Sequence, residues 1–349
     1  MYKPTTLRAY LLRALEAGVS PDQILKGSGV TWEEIERQET LDLNTISELF
    51  DLIARRAPED FAIRCGNACQ IRDFGIVGFG MMSMPTLRDA FQYLQTYNLL
   101  IGHPLVNKIT EVGDEWCMQF VPSKIMTPRA HRFCAEVSIA AVEPVIAEMT
   151  DAPANSLRME FSFERPSSLA SYDLLGVREM QFGAQLTTYW GERRDLDRPI
   201  RSRDGNLCEI FRQESDRVLA RMTKARSIRD RLEDVMILSA GGMPSLDEMA
   251  AALHMSRRSL QRVLFAESLS YQCVVRDFRV RQAKVLLSQD QANIKTIAHL
   301  LGFADTGSFR RAFHDWTGET VNNWKKQHAD KAAQAKRKVE LREPEAHAV

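Results

Sequence analysis

Arg257, Arg258, Gln261 and Arg262 crowd one side of a short stretch whose other side carries Leu260 and Leu264. Guanidinium and carboxamide groups make paired hydrogen bonds to guanine and adenine edges, so this face has the chemistry for reading duplex DNA in its major groove. Further along the chain the arrangement recurs. Thr306, Arg310 and Arg311 stand beside Phe309 and Phe313, with Lys295 in the segment before them. Laid over each other, Met249-Ala250 meets Ile297-Ala298, Leu253 meets Leu301, and Leu260 and Leu264 meet Phe309 and Phe313. One arginine-rich face is common on any helical bundle and decides little. Two aligned copies suit a chain that reads two adjacent stretches of groove by itself.

Helices must position these side chains, and the pattern supplies them. Ser245 precedes Glu248 by three residues, the spacing of a capping box that starts a helix. Ala250 and Ala298 are small where two helices would cross. Gly302 sits in the second turn, where a positive φ is needed, and Phe303 follows it as an apolar plug. His254 and Met255 fill the first turn, and Ser256 can cap the helix after it. Between the two units, Ser270 to Ser288 spaces Val274, Phe278, Val285 and Leu286 as a helix does. About 18 residues at 1.5 Å each make a strut of roughly 27 Å. Such a strut suits recognition helices about one DNA turn, roughly 34 Å, apart. The expected helix-turn-helix units are therefore 245–265 and 294–315.

Charge is divided to match. The chain is neutral, with 46 basic and 46 acidic residues. Residues 221–329 hold 17 basic and 11 acidic side chains, whereas residues 1–220 hold 24 and 31. A basic module of DNA-binding size follows an acidic one, so nucleic-acid affinity is expected in the C-terminal part and should fall with salt.

Residues from about Met243 to Lys326 resemble the DNA-binding domain of the AraC/XylS family of transcription regulators. The phrases that carry the resemblance are Leu246 to Arg262, Arg279 to Leu287 and Ile297 to Phe313, with Trp316, Gly318 and Trp324 in the closing segment. The resemblance implies sequence-specific promoter binding by two helix-turn-helix units joined by a helix, with RNA polymerase as a partner and activation as the outcome. Three departures stand out. Glu267-Ser268-Leu269-Ser270 replaces the usual glycine-containing turn after the first recognition helix. Val321 stands for the usual proline. Gly307 occupies a place where many members carry a polar side chain that can face DNA, so Arg310 and Arg311 are expected to bind phosphate more than bases.

The first 200 residues are patterned differently. Helical stripes run over Leu7–Ala17, Thr45–Arg56, Leu87–Leu100 and Arg129–Met149, with short helices at Pro21–Leu25 and Thr31–Ile35. Val106 to Val121 reads as a hairpin turning at Gly113-Asp114, Leu157–Phe163 as a strand, and Gln181–Gly183 with Leu186–Trp190 as a later one. The expectation is an α+β N-terminal domain followed by an all-α C-terminal domain. Gly78 to Phe91, Arg132 to Glu136 and Phe182 to Ala184 resemble the N-terminal effector domain of family members of the ornithine-utilisation-regulator-like and VirS-like group. That likeness implies a module for sensing a small molecule and for forming a homodimer. The expected organisation is 1–205 for sensing, 206–242 as a helical linker, 243–328 for DNA and 329–349 as a charged tail.

Candidate ligand contacts are Met82, Tyr97 and Trp116 as apolar walls, and Arg129, His131 and Arg132 as cations for a carboxylate. The bland alternative puts the apolar ones in the core and the arginines on a solvated helix end. Cys65-x-x-x-Cys69 has no second pair to complete a zinc site, so reduced, buried thiols are expected and no metal or cofactor. No phosphate-cradling glycine loop, Gly-x-Ser-x-Gly elbow or His-Glu-x-x-His is present, so no enzymatic activity is expected. No apolar run approaches the 18 or so residues of a membrane span, and the first residues lack a signal-peptide core. The expected location is the cytoplasm, at the nucleoid. Gating by a protein partner, or an enzymatic N-terminal domain, remain the alternatives to sensing.

Overall fold

The computed structural model describes residues 2–327 apart from 124–125, 154–155, 178, 225–226, 239–242, 254 and 288–292. The turn residue His254, residues 239–242 of the expected linker and the tail 329–349 lie outside the described residues. The N-terminal body opens with α1 (Thr5–Glu16), α2 (Pro21–Leu25), α3 (Trp32–Glu36), α4 (Leu43–Arg56) and α5 (Phe61–Asn67), followed by α6 (Ile76–Ser83) and α7 (Leu87–Thr96). Capping boxes at Ser20, Thr31 and Thr86 start α2, α3 and α7 by satisfying N–H groups that a helix start leaves free. A sheet then forms from β1 (Leu105–Val112), β2 (Glu115–Pro122), β3 (Ser156–Phe161), β4 (Met180–Phe182) and β5 (Thr187–Glu192), with α8 (Pro128–Ala140) and α9 (Val142–Thr150) inserted after β2. Its order is β1-β2-β5-β3-β4, antiparallel except for the β3–β4 pair. Gly113 takes φ +62° in the β1–β2 turn, as the two-residue loop requires.

Two expected helices are each divided. The stripe Arg129–Met149 breaks at Ala141, because Pro144 has no N–H and its ring would strike the carbonyl four residues back. The expected helical linker 206–242 holds two helices, α10 (Gly205–Lys224) and α11 (Ile228–Leu238), the second restarted by Ser227, whose Oγ pairs with Asp230. The stripe Leu87–Leu100 ends its α-helix at Thr96 and tightens to a 3-10 turn over Asn98–Ile101.

The C-terminal body is helical: α12 (Leu246–Ala252), α13 (Arg257–Ala266), α14 (Tyr271–Leu287), α15 (Ile294–Leu300) and α16 (Thr306–Thr317). It has two apolar clusters. Ile228, Leu232 and Met236 of α11 pack with Met249, Leu260, Leu264, Val274 and Phe278. Leu286, Ile297, Leu301, Phe309, Phe313 and Val321 form the other, which Leu186 of the N-terminal body completes at 4% exposure. Within 206–242, α10 packs on the N-terminal body, where the Tyr93 and Ser215 hydroxyls lie 2.6 Å apart, whereas α11 packs in the C-terminal one. Cys65, Cys69, Cys117 and Cys134 are buried free thiols, and burial pushes Cys69 and Cys65 up, Cys65 to about 12. Among the described residues no helix is long and apolar enough to cross a membrane.

Candidate nucleic-acid interface

The two helix pairs are built by the same local bonds. In the first, Ser245 caps α12 and exchanges hydrogen bonds with Glu248, whose carboxyl is held low by the bond from the Ser245 backbone. The chain then reverses, and Met255 N–H donates to the Ala250 carbonyl at 2.8 Å. In the second, Phe303 N–H donates to the Ala298 carbonyl at 2.9 Å, with Gly302 at φ +76°. Ala250 and Ala298 are both buried, as close helix crossing demands. Each second helix has a side-chain cap: Ser256 accepts from Ser259 N–H in α13, and Asp305 accepts from Ser308 N–H in α16. That backbone bond holds the Asp305 carboxyl below its ordinary range.

With Leu260 and Leu264 buried, α13 turns its other side outward. At about 100° per residue, Arg262 lies roughly 40° to one side of Arg258, Gln261 roughly 60° to the other, and Phe265 roughly 20° from it. Arg258, Gln261 and Arg262 are exposed and make no hydrogen bond or ion pair among the described residues. Arg257 is exposed too, but its guanidinium reaches Asp247 at 2.7 Å, which ties it to α12. Phe265 is 84% exposed in the middle of this stripe. Phe265 was not among the residues expected from sequence. Its spacing of seven from Arg258 is the signal that finds it.

On α16, Phe309 and Phe313 are buried and correspond to Leu260 and Leu264. Gly307 then corresponds to Arg258, Arg310 to Gln261, Arg311 to Arg262 and His314 to Phe265. Arg310 and Arg311 are exposed, and Arg311 donates to Ser308 Oγ at 3.3 Å. Thr306 is half-buried at the first turn, and Lys295 is exposed at the start of α15. A side chain at 307 would begin 3.0 Å from the Asp305 cap, so the second face has a gap where the first has an arginine.

The strut α14 spends its arginines internally. Arg279 donates to the Leu301 carbonyl at 3.0 Å and lies 4.8 Å over the Phe303 ring, and burial lowers its pKa. Arg281 pairs with Glu233, and Asp277 takes Arg276 and Arg229 at 3.1 and 3.0 Å. The arginines left for a polyanion are therefore concentrated on α13 and α16.

The six residues expected to bind ligand are dispersed. Trp116 is core, between Phe91 at 5.1 Å and Tyr189 at 5.4 Å. Tyr97 donates to Asp216 at 2.8 Å and fastens α10. Met82 is half-buried on α6 and Arg129 is exposed at the start of α8. His131 is buried, which lowers its pKa to about 4. Arg132 pairs with Glu136 at 2.7 Å and lies over Phe163 at 5.7 Å.

Two family models match this chain. The arabinose-binding N-terminal domain of AraC transcription regulators matches residues 18–200, and a helix-turn-helix domain matches 249–327. The chain belongs to the AraC family. The ornithine utilization regulator of Pseudomonas aeruginosa is 26% identical over 320 residues, covering 89% of this chain and 92% of that one. An uncharacterized helix-turn-helix regulator of Mycobacterium tuberculosis is 23% identical, covering 87% and 90%. The crystal structure of the regulator CdpR from P. aeruginosa gives a TM-score of 0.45 at 20% identity, covering 91% of this chain and 98% of that one. As an AraC-family member the chain is a DNA-binding transcription regulator.

Proposed function

We propose that this AraC-family regulator is an effector-responsive activator that grips promoter DNA through both helix pairs. The observation that carries the reading is the correspondence of α13 and α16. The two helices share their caps, their turn bonds and their buried pairs, and both leave an arginine at one outward position, Arg262 on α13 and Arg311 on α16. Arg258, Gln261 and Arg262 read bases in one half of the site. Arg310, Arg311, Lys295 and Thr306 hold phosphates and orient the other half, with Arg257 shared between DNA and Asp247.

The effector part of the reading rests on the contact between the two bodies. Val121 of β2 and Leu186, just before β5, pack into the apolar cluster of the second helix pair, and Gln282 of α14 donates to the Ser123 carbonyl at 3.4 Å. A ligand that shifts the sheet shifts this seam and so changes the freedom of α15 and α16, a bias on a two-state equilibrium. Homodimer formation is supported by Phe79, Leu207 and Ile210, large apolar side chains exposed on α6 and α10, with Phe79 stacked on Phe211 at 6.3 Å. RNA polymerase is the partner an activator requires.

Footprinting of the full chain on the promoter beside its own gene tests the reading. Protection of two adjacent major-groove segments on one face of the duplex is expected. A binding curve independent of sequence would overturn it.

A further inference from the structure

A cavity of about 50 Å³ lies inside the N-terminal body, between α1, α7, α9 and the β1–β2 face. Its walls are mainly apolar, among them Phe91, Leu94, Met118, Phe120 and Val145. No charged side chain lines it. Two polar atoms in its lining are buried and have no hydrogen-bond partner: Thr6 Oγ1, in a residue 1% exposed, and His103 Nε2. His103 Nδ1 lies 3.1 Å from Leu105 N–H and 3.4 Å from the Leu105 carbonyl, and the closer contact, from an N–H that can only donate, makes this nitrogen an acceptor. Nε2 therefore carries the hydrogen and is a donor. Burial lowers the ring's pKa to about 4, so it stays neutral near pH 7. Tyr10, also in the lining, is kept protonated by burial.

Buried donors without partners are uncommon, because each forfeits the hydrogen bonds it had in water. A ligand oxygen set between Thr6 and His103 would recover them. A charged ligand meets no opposite charge in this lining, and shedding its water would go uncompensated. The volume is well under the roughly 150 Å³ of a cavity that takes benzene. The three residues that the sequence suggested for a carboxylate, Arg129, His131 and Arg132, lie outside this lining, as do the suggested apolar walls Met82, Tyr97 and Trp116.

We propose that this cavity is the effector site and that the effector is a small uncharged molecule, mostly apolar, with one carbonyl or hydroxyl oxygen held by Thr6 and His103. The proposal rests on the effector-responsive reading above and narrows it. It also separates this chain from recognition of a free amino acid, whose ammonium and carboxylate groups have no counterpart here.

Thermal unfolding of the full chain tests it with ethanol, acetone and acetamide as neutral probes small enough for this volume, and with L-ornithine and butyrate as charged ones. At ten times its dissociation constant, a neutral probe should raise Tm by about 3 °C. Ala141→Leu fills the cavity and should abolish the rise. His103→Phe, which keeps a ring but removes the donor, should weaken the neutral probe about tenfold and guards against misfolding of the first variant. If ornithine or butyrate raises Tm and Ala141→Leu leaves that rise intact, the effector reading stands and the neutral-cavity proposal falls. If no neutral probe moves Tm at 50 mM, the cavity holds water only and the proposal falls as well. The effector reading itself fails only if promoter affinity ignores a whole-cell metabolite extract.

Discussion

Arg262 and Arg311 occupy the same place in two copies of one unit, yet their surroundings predict different losses when each is changed to alanine. Arg262 stands with Arg258 and Gln261 on an unbroken exposed stripe, so it can pair with a base edge while its neighbours fix the register. Losing such a contact costs about 1–3 kcal/mol of discrimination, roughly 5- to 150-fold. Arg311 has Gly307 where that stripe would continue, and its guanidinium leans on Ser308 Oγ at 3.3 Å. Its proposed contact is therefore a phosphate. Removing one phosphate contact flattens the slope of log K against log salt by about 0.9, so the loss shrinks about 3.5-fold between 50 and 200 mM salt. Both side chains are exposed, so stability should move by less than about 0.5 kcal/mol in either variant. Fluorescence anisotropy on a promoter duplex and a scrambled duplex, at three salt concentrations, separates the two effects. Arg262→Ala should narrow the gap between the duplexes at unchanged slope. Arg311→Ala should weaken both alike and flatten the slope. Equal loss of sequence preference in the two variants would refute the division of labour drawn from Gly307.

Phe265 sits among the groups proposed to read bases, and its ring suits the 5-methyl of thymine. Replacing thymine by deoxyuridine across the first half-site should weaken the native chain at one position by about threefold to tenfold, on the order of 1 kcal/mol, and leave Phe265→Ala indifferent; a scan without such a position rejects the contact. Ser268 ends α13 at φ +55°, a left-handed conformation that costs a side chain about 1–2 kcal/mol, so Ser268→Gly should stabilise the first helix pair by about 1 kcal/mol in urea unfolding. His103 and His131 have folded pKa values of about 4 against an ordinary 6.5. The unfolded chain therefore takes up their protons first, and stability present above pH 6.5 should be lost as pH falls toward 4. The loss is at most about 3 kcal/mol per ring, and His131→Gln should remove one share of that slope. Leu186→Ala should cost about 2–3 kcal/mol and speed hydrogen exchange in α15 and α16 while leaving α12 and α13 unchanged; equal acceleration in both pairs would show that the seam does not act where Leu186 lies.

What the sequence disclosed follows from the range of the forces involved. Ser245 with Glu248, Gly302, and the pairs Leu260–Leu264 and Phe309–Phe313 act within a few residues of themselves, so spacing alone located the helices and the face they expose. The break at Ala141 is equally local, since Pro144 cannot continue a helix begun before it, although the apolar period of Arg129–Met149 runs straight across it. The usual glycine missing after α13 was visible as Ser268, but only the backbone discloses that serine takes up the left-handed turn itself. The ligand region has no such local signature. Asp216, which engages Tyr97, lies 119 residues away and gives no sign of that pairing in the sequence, whereas Glu136 stands four residues from Arg132 on one helix and that pairing is legible from spacing. The cavity draws Thr6, His103, Met118 and Val145 from four separate parts of the chain, and its neutrality is a property of what stands together. Periodicity along one element can show which side faces out; it cannot show which inward sides leave space between them. The DNA-binding helices are therefore written in repeats of three and four residues, whereas the proposed choice of effector depends on long-range packing.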